Sequence, residues 1–123
     1  MMDLTIDGAL CRIATCGPAD GPPLLLVHGA ANDRDAWRDV TPLLAAAGLR
    51  VLAPDLPGHG ASDGSPLASV ESIAAWTLRL ADTLGLKRFA LAGHSMGSLV
   101  VLEAASRAAD RIRHLSLLGS AVP

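Results

Sequence analysis

The chain has 123 residues, half of them apolar, with 10 Lys and Arg against 12 Asp and Glu and a formal net charge of −2. That composition suits one domain with an aliphatic core, and it excludes a disordered chain and a basic nucleic-acid binder. The start "MMDLTIDG" lacks the basic and apolar segments of a signal peptide, and no apolar run approaches the roughly 20 residues of a membrane helix, so a soluble cytoplasmic protein without membrane association is expected.

In chain order, "DLTIDGALCRIATCG" alternates apolar and polar residues around Asp7-Gly8, which predicts a hairpin. Cys11 and Cys16 stand an odd number of residues apart, so one regular strand points them to opposite faces and they cannot pair with each other. "PPLLLVHG" is a continuous apolar run closed by glycine, the pattern of a strand buried on both faces. "DAWRDVTPLLAAAG" places Trp37, Val40, Leu44 and Ala47 at helical spacing, but Pro42 predicts a kink or a late start. "LRVLAPD" reads as another buried strand, followed by the loop "LPGHGASDGSP".

"SVESIAAWTLRLADTLGL" gives the clearest helix signal. Ser69 is its cap, Glu71 suits the first turn, Ile73, Thr77, Leu80 and Leu84 share a face, and Gly85 ends it. "RFALAGH" is a strand, "SMGSLVVLEAASRAADRI" a helix, and "HLSLLGSAVP" a last strand running to the end. A hairpin followed by β-α-β-α-β-α-β predicts an α/β fold: a mostly parallel sheet with helices on both faces.

Three segments carry candidate chemistry. "Gly93-His94-Ser95-Met96-Gly97" lies between a strand and a helix, the context in which G-x-S-x-G presents a nucleophile on a sharp turn. There the Met96 amide and the helix dipole face a developing oxyanion. An ordinary glycine-rich turn with a capping serine is the plainer alternative. "Leu26-Val27-His28-Gly29-Ala30-Ala31" also ends a strand, and Ala30 is the candidate second oxyanion donor; a plain turn with His28 bonded locally is the alternative. "Asp55-Leu56-Pro57-Gly58-His59-Gly60-Ala61-Ser62-Asp63" fails the dinucleotide fingerprint and fits a rigid loop pinned by polar groups better than a phosphate loop. His28, His59 and His94 all fall at the carboxyl edge of the sheet, but they lack the local spacing of metal ligands, so no metal is expected.

The succession "VHGAANDRDAW", "PDLPGHGASD" and "LAGHSMGSLVVLEAA" resembles the α/β-hydrolase fold superfamily, most closely its bacterial esterase, lactonase and carbon–carbon hydrolase branch. The resemblance runs from about residue 4 to 123. It implies Ser95 as nucleophile and the Ala30 and Met96 amides as the oxyanion hole, with His28, Gly29, Gly93, His94 and Gly97 supporting the site edge. It implies strand order 1-2-4-3-5-6-7-8, a small ester-like substrate and no cofactor. Serine at position 95 speaks against the dehalogenase and epoxide hydrolase branches, which place aspartate there.

The family order is Ser, then Asp or Glu, then His. The resemblance therefore makes residues 1–123 a partial domain of strands 1 to 6, with the cap, the last two strands, the acid and the histidine beyond Pro123. Asp110 and His114, the Asp–His pair after Ser95, are expected at the opposite sheet edge, since a helix of about 14 residues spans near 21 Å. Residues 114–122 are expected to form an exposed apolar edge, open to self-association or to a complementing C-terminal half. Besides a serine hydrolase, the sequence leaves open a non-catalytic interaction module using that edge, and an acyltransferase or perhydrolase on the same scaffold.

Overall fold

The computed structural model describes residues 1–119. Its strands are β1 (Met2–Ile6), β2 (Ala9–Cys16), β3 (Pro23–Val27), β4 (Arg50–Pro54), β5 (Phe89–His94) and β6 (Ile112–Leu118), with helices α1 (Thr41–Ala46), α2 (Val70–Thr83) and α3 (Met96–Arg107). They form one sheet in the order β1-β2-β4-β3-β5-β6. The first two strands run antiparallel to their neighbours, and β4, β3, β5 and β6 are mutually parallel. This is the expected α/β architecture and strand order.

Local sequence explains the elements. Asp7 and Gly8 both take positive φ, 52° and 79°, as a tight turn twisted like its strands requires. The segment around Pro42 breaks as predicted: Arg34–Trp37 is a 3-10 turn, and α1 starts only at Thr41, with Pro42 in its first turn. The Ser69 hydroxyl accepts from the Ser72 amide at 3.1 Å, and the Ser72 hydroxyl takes the reciprocal bond from the Ser69 amide. Such a cap contributes about 1 kcal/mol.

The sheet's two faces are covered unequally. On one, Leu25, Val27, Leu52 and Leu91 pack against α2 and α3 through Ile73, Trp76, Leu80, Val100, Val101 and Ala104. On the other, Leu24, Leu26, Val51, Ala53 and Ala92 meet Trp37, with Leu44 and Leu49 only partly buried beside them. Six-residue α1 buries none of its residues, so this second face stays open toward β6. There a groove of about 400 Å³ is lined by Leu24, Leu26, Trp37, Ala92, Ser116 and Leu118, among others.

The two sheet edges also differ. Beside β1, Asp3 pairs with Arg12 and Asp7 with Arg79, both at 2.8 Å. Charges on an edge discourage pairing with other chains. Along β6 every residue after Ile112 is exposed, including Leu115, Leu117 and Leu118. The last strand differs from expectation at both ends. It begins at Ile112, directly after a 3-10 turn over Ala109–Arg111, and it ends at Leu118, before Gly119 at φ 54°. Residues 120–123, the remainder of the expected strand, lie outside the described residues. No helix among the described residues is long and apolar enough to cross a membrane. Cys11 and Cys16 are both free thiols; burial pushes the Cys11 thiol up to about 11, which keeps it protonated.

Candidate active site

Three strand ends build the candidate site. At the end of β5 the chain turns directly into α3 through Ser95, whose backbone sits at φ 56°, ψ −121°. A non-glycine residue there is strained, and such strain persists only where the surroundings enforce it. They do so here: the Ser95 amide donates to Leu118 O at 2.9 Å, and the Ser95 carbonyl accepts from the Ser98 amide at 2.9 Å and the Ser98 hydroxyl at 2.6 Å. The partly exposed Ser95 hydroxyl is itself left without a protein partner among the described residues.

The flanking glycines are steric necessities. A Cβ on Gly93 would collide with the Gly97 carbonyl, and one on Gly97 with the Val27 carbonyl. Their absence lets α3 sit directly against the ends of β5 and β3. At the β3 end, a Cβ on Gly29 would lie 3.2 Å from Ser95 Cβ and 3.7 Å from its Oγ. The loop after β3 is thus brought beside the serine. Ala31 follows at φ 58°, and the Asn32 amide closes this turn onto Gly29 O at 3.3 Å.

Met96 opens α3, where an amide has no acceptor within its own helix. The Ala30 amide likewise finds no acceptor among the described residues. Ala30 and Met96 line one cleft of about 190 Å³, with Leu56, Pro57, His59, Pro66, Leu67 and Ile73 completing its walls.

The four histidines have separate fates. His28 is fully buried; its Nδ1–H donates to Gly29 O at 2.7 Å and its Nε2 accepts the Leu56 amide at 3.1 Å. Those partners fix the neutral tautomer and use both nitrogens, and burial lowers its pKa below the usual histidine range. His59 bonds Pro57 O at 3.0 Å and lies with its ring 5.2 Å from that of His28. His94 projects to the opposite sheet face, edge-on to Trp37 at 6.3 Å. His114 precedes Leu118, the residue level with His94, by four positions of β6. That is about 13 Å along the strand. Asp110 lies in the exposed turn before it. Neither reaches the serine.

The third strand end holds a group that the sequence read only as part of a pinned loop. Asp55, fully buried at the end of β4, pairs with the Arg34 guanidinium and accepts the amides of Arg34 at 2.7 Å and Ala61 at 2.9 Å. Gly60 passes so close to this carboxylate that no side chain would fit there. Ser62 reinforces the loop by donating to Asp55 O at 2.7 Å and accepting from the Arg12 amide at 2.9 Å. The "PDLPGHGASD" segment is thus anchored around one buried charge, which positions Pro57 and His59 at the cleft.

A strained serine at a strand-to-helix turn, obligatory glycines around it and a parallel sheet in this order are what the sequence motifs implied. The family model of the alpha/beta hydrolase fold matches residues 22–123. The chain belongs to that family. Among alpha/beta hydrolase relatives, it is 41% identical over 117 residues to the dihydrolipoyllysine-residue acetyltransferase component of an acetoin cleaving system from Pseudomonas putida, covering 94% of this chain and 31% of that protein. It is 39% identical to a haloalkane dehalogenase from Mycobacterium marinum, covering 87% and 37%. The solved thioesterase domain from the curacin biosynthetic pathway superposes with a TM-score of 0.89 at 32% identity, covering 97% of this chain and 45% of that one. The chain spans 31% to 41% of the length of the curated relatives it matches. Their names span several reactions, so family membership alone does not choose among the alpha/beta hydrolase branches.

Proposed function

We propose that this chain carries the nucleophile and the oxyanion hole of a serine hydrolase that cleaves an ester, lactone or similar acyl bond. The observation that carries the reading is the Ser95 turn, with the free amides of Ala30 and Met96 belonging to residues that line one cleft beside it. Ser95 Oγ attacks the acyl carbonyl and the two amides stabilise the resulting oxyanion. Collapse of the tetrahedral intermediate expels the alcohol and leaves an acyl-serine, which water then hydrolyses. None of these steps requires a cofactor.

The serine proton needs an acceptor, and no histidine hydrogen-bonds Ser95 Oγ among the described residues. Base and acid therefore come from polypeptide outside the described residues, joined to the sheet along β6. The exposed edge and the open groove beside it support that placement. The Leu118 carbonyl that holds Ser95 belongs to the same strand, so pairing at this edge bears directly on the nucleophile. The exposed edge also favours a second reading, in which the chain acts as an interaction module without catalysis.

A fluorophosphonate, mapped by intact mass and peptide digestion, tests the assignment. A slow adduct confined to Ser95 and lost in Ser95→Ala is expected, because this chain supplies no base; fast labelling would show that an activating base is already present. An adduct elsewhere, or one unaffected by the substitution, would overturn it. Release of acyl groups to an added alcohol rather than to water would redirect the reading to an acyltransferase.

A further inference from the structure

Beneath the loop of residues 57–67 lie two cavities, and the chemistry above uses only the Ala30 and Met96 end of one. One is the cleft of about 190 Å³ that begins at Ala30 and Met96. The second, of about 160 Å³, is lined by Ile6, Cys11, Leu67 and Trp76, among others. Pro57 and Leu67 line both, so they form the partition between them.

The first cleft is walled by Leu56, Pro66, Ile73 and Met96 as well as the partition, with the His59 ring as its one side chain able to form hydrogen bonds. It suits an apolar group, and it contains no Phe, Tyr or Trp against which an aromatic ring would stack. A cavity of about 150 Å³ takes a six-carbon apolar molecule, so this cleft has room for a chain of about that size.

The partition is held from several sides. The Gly58 amide bonds Asp63 O at 3.2 Å, the His59 amide Leu56 O at 2.9 Å and the Asp63 amide Leu10 O at 2.8 Å. Pro66 packs so tightly over Gly58 that a Cβ there would overlap its ring. Leu67 itself is only partly buried, packed against the rim of the main core.

We propose that the cleft at Ala30 and Met96 is an acyl-chain subsite for linear chains of about six carbons, and that Leu67 sets the length limit by separating it from the Trp76 cavity. This rests on the reading of the Ala30 and Met96 amides as the oxyanion hole. A carboxylate bound there presents its oxygens to those amides and lays its chain along the cleft toward Leu67.

Butanoate, hexanoate, octanoate and decanoate are the probes, titrated by NMR into the chain while following the amides of Ala30 and Met96 and the Trp76 indole. Affinity rises roughly fourfold per added methylene up to hexanoate and then stops rising. In Leu67→Ala the two cavities join, the rise continues to decanoate, and the Trp76 signal shifts for the longer chains only. In Leu67→Phe the optimum moves to butanoate. An affinity that does not depend on chain length, or the same profile in all three proteins with native circular dichroism, would overturn the proposal. A failed nucleophile assignment appears separately, as a fluorophosphonate adduct at a residue other than Ser95 with the chain-length response of the parent intact.

Discussion

Replacing Ser95 by glycine raises the stability of the fold while deleting the proposed nucleophile. Ser95 occupies φ 56°, ψ −121°, and its hydroxyl bonds to nothing among the described residues. The bonds that hold the turn use its backbone N–H and C=O, which glycine keeps. A side chain in such a region costs of order 1–3 kcal/mol. Glycine removes that cost but adds roughly 0.5–1 kcal/mol of unfolded-state entropy. The balance is a gain of about 1 kcal/mol, or about 3–5 °C in melting temperature for a domain this size. Ser95→Ala retains the strain and stays within about 0.5 kcal/mol of the parent. Urea unfolding of the three proteins, compared at equal m-values, checks the order Gly above Ser and Ala. A Ser95→Gly protein less stable than Ser95→Ala would show that the turn is relaxed and would refute the reasoning.

Three further outcomes are expected. His28 is held neutral by burial, so the unfolded chain takes up a proton that the folded one resists; stability is full above the unfolded value of about 6.5 and falls as pH drops below it. His28→Gln, which can still accept the Leu56 amide, flattens urea midpoints between about pH 7 and 5; an unchanged slope would contradict this. Gly97→Ala drives a methyl into the Val27 carbonyl and costs about 3 kcal/mol or more, read as a loss of soluble protein or a lowered urea midpoint. Leu117→Lys charges the bare edge and converts concentration-dependent association in light scattering to monomer, with the urea midpoint unchanged; a parent that is already monomeric at high concentration would refute the edge as a contact surface.

Elements whose cause is local were legible before the fold was known. Asp7-Gly8 fixes its turn through backbone preference, Pro42 delays α1, and Gly85 ends α2 at φ 73°. The run ahead of "GHSMG" read as a strand because it is apolar throughout, and β5 is indeed buried there at Leu91, Ala92 and Gly93. What stayed hidden depends on contacts distant in sequence. The tautomer of His28 is set by the Leu56 amide, 28 residues away. The partner that lets Asp55 be buried is Arg34, which precedes it by 21 residues. β6 starts at Ile112, two residues before the expected strand, because the helix predicted to run through Ile112 already stops at Arg107. The Leu67 partition carries no motif; only folding the 57–67 loop under Pro66 creates it.

The central claim is that Ser95 is presented as a nucleophile by this chain and is not activated by it. The pH dependence of the fluorophosphonate reaction rate at Ser95 tests it most directly. Without a histidine base, the rate rises steadily from about pH 7 to 10 as hydroxide does the deprotonation. A fast reaction that levels off with an apparent pKa near 7 would place a working base among these 123 residues and contradict the account.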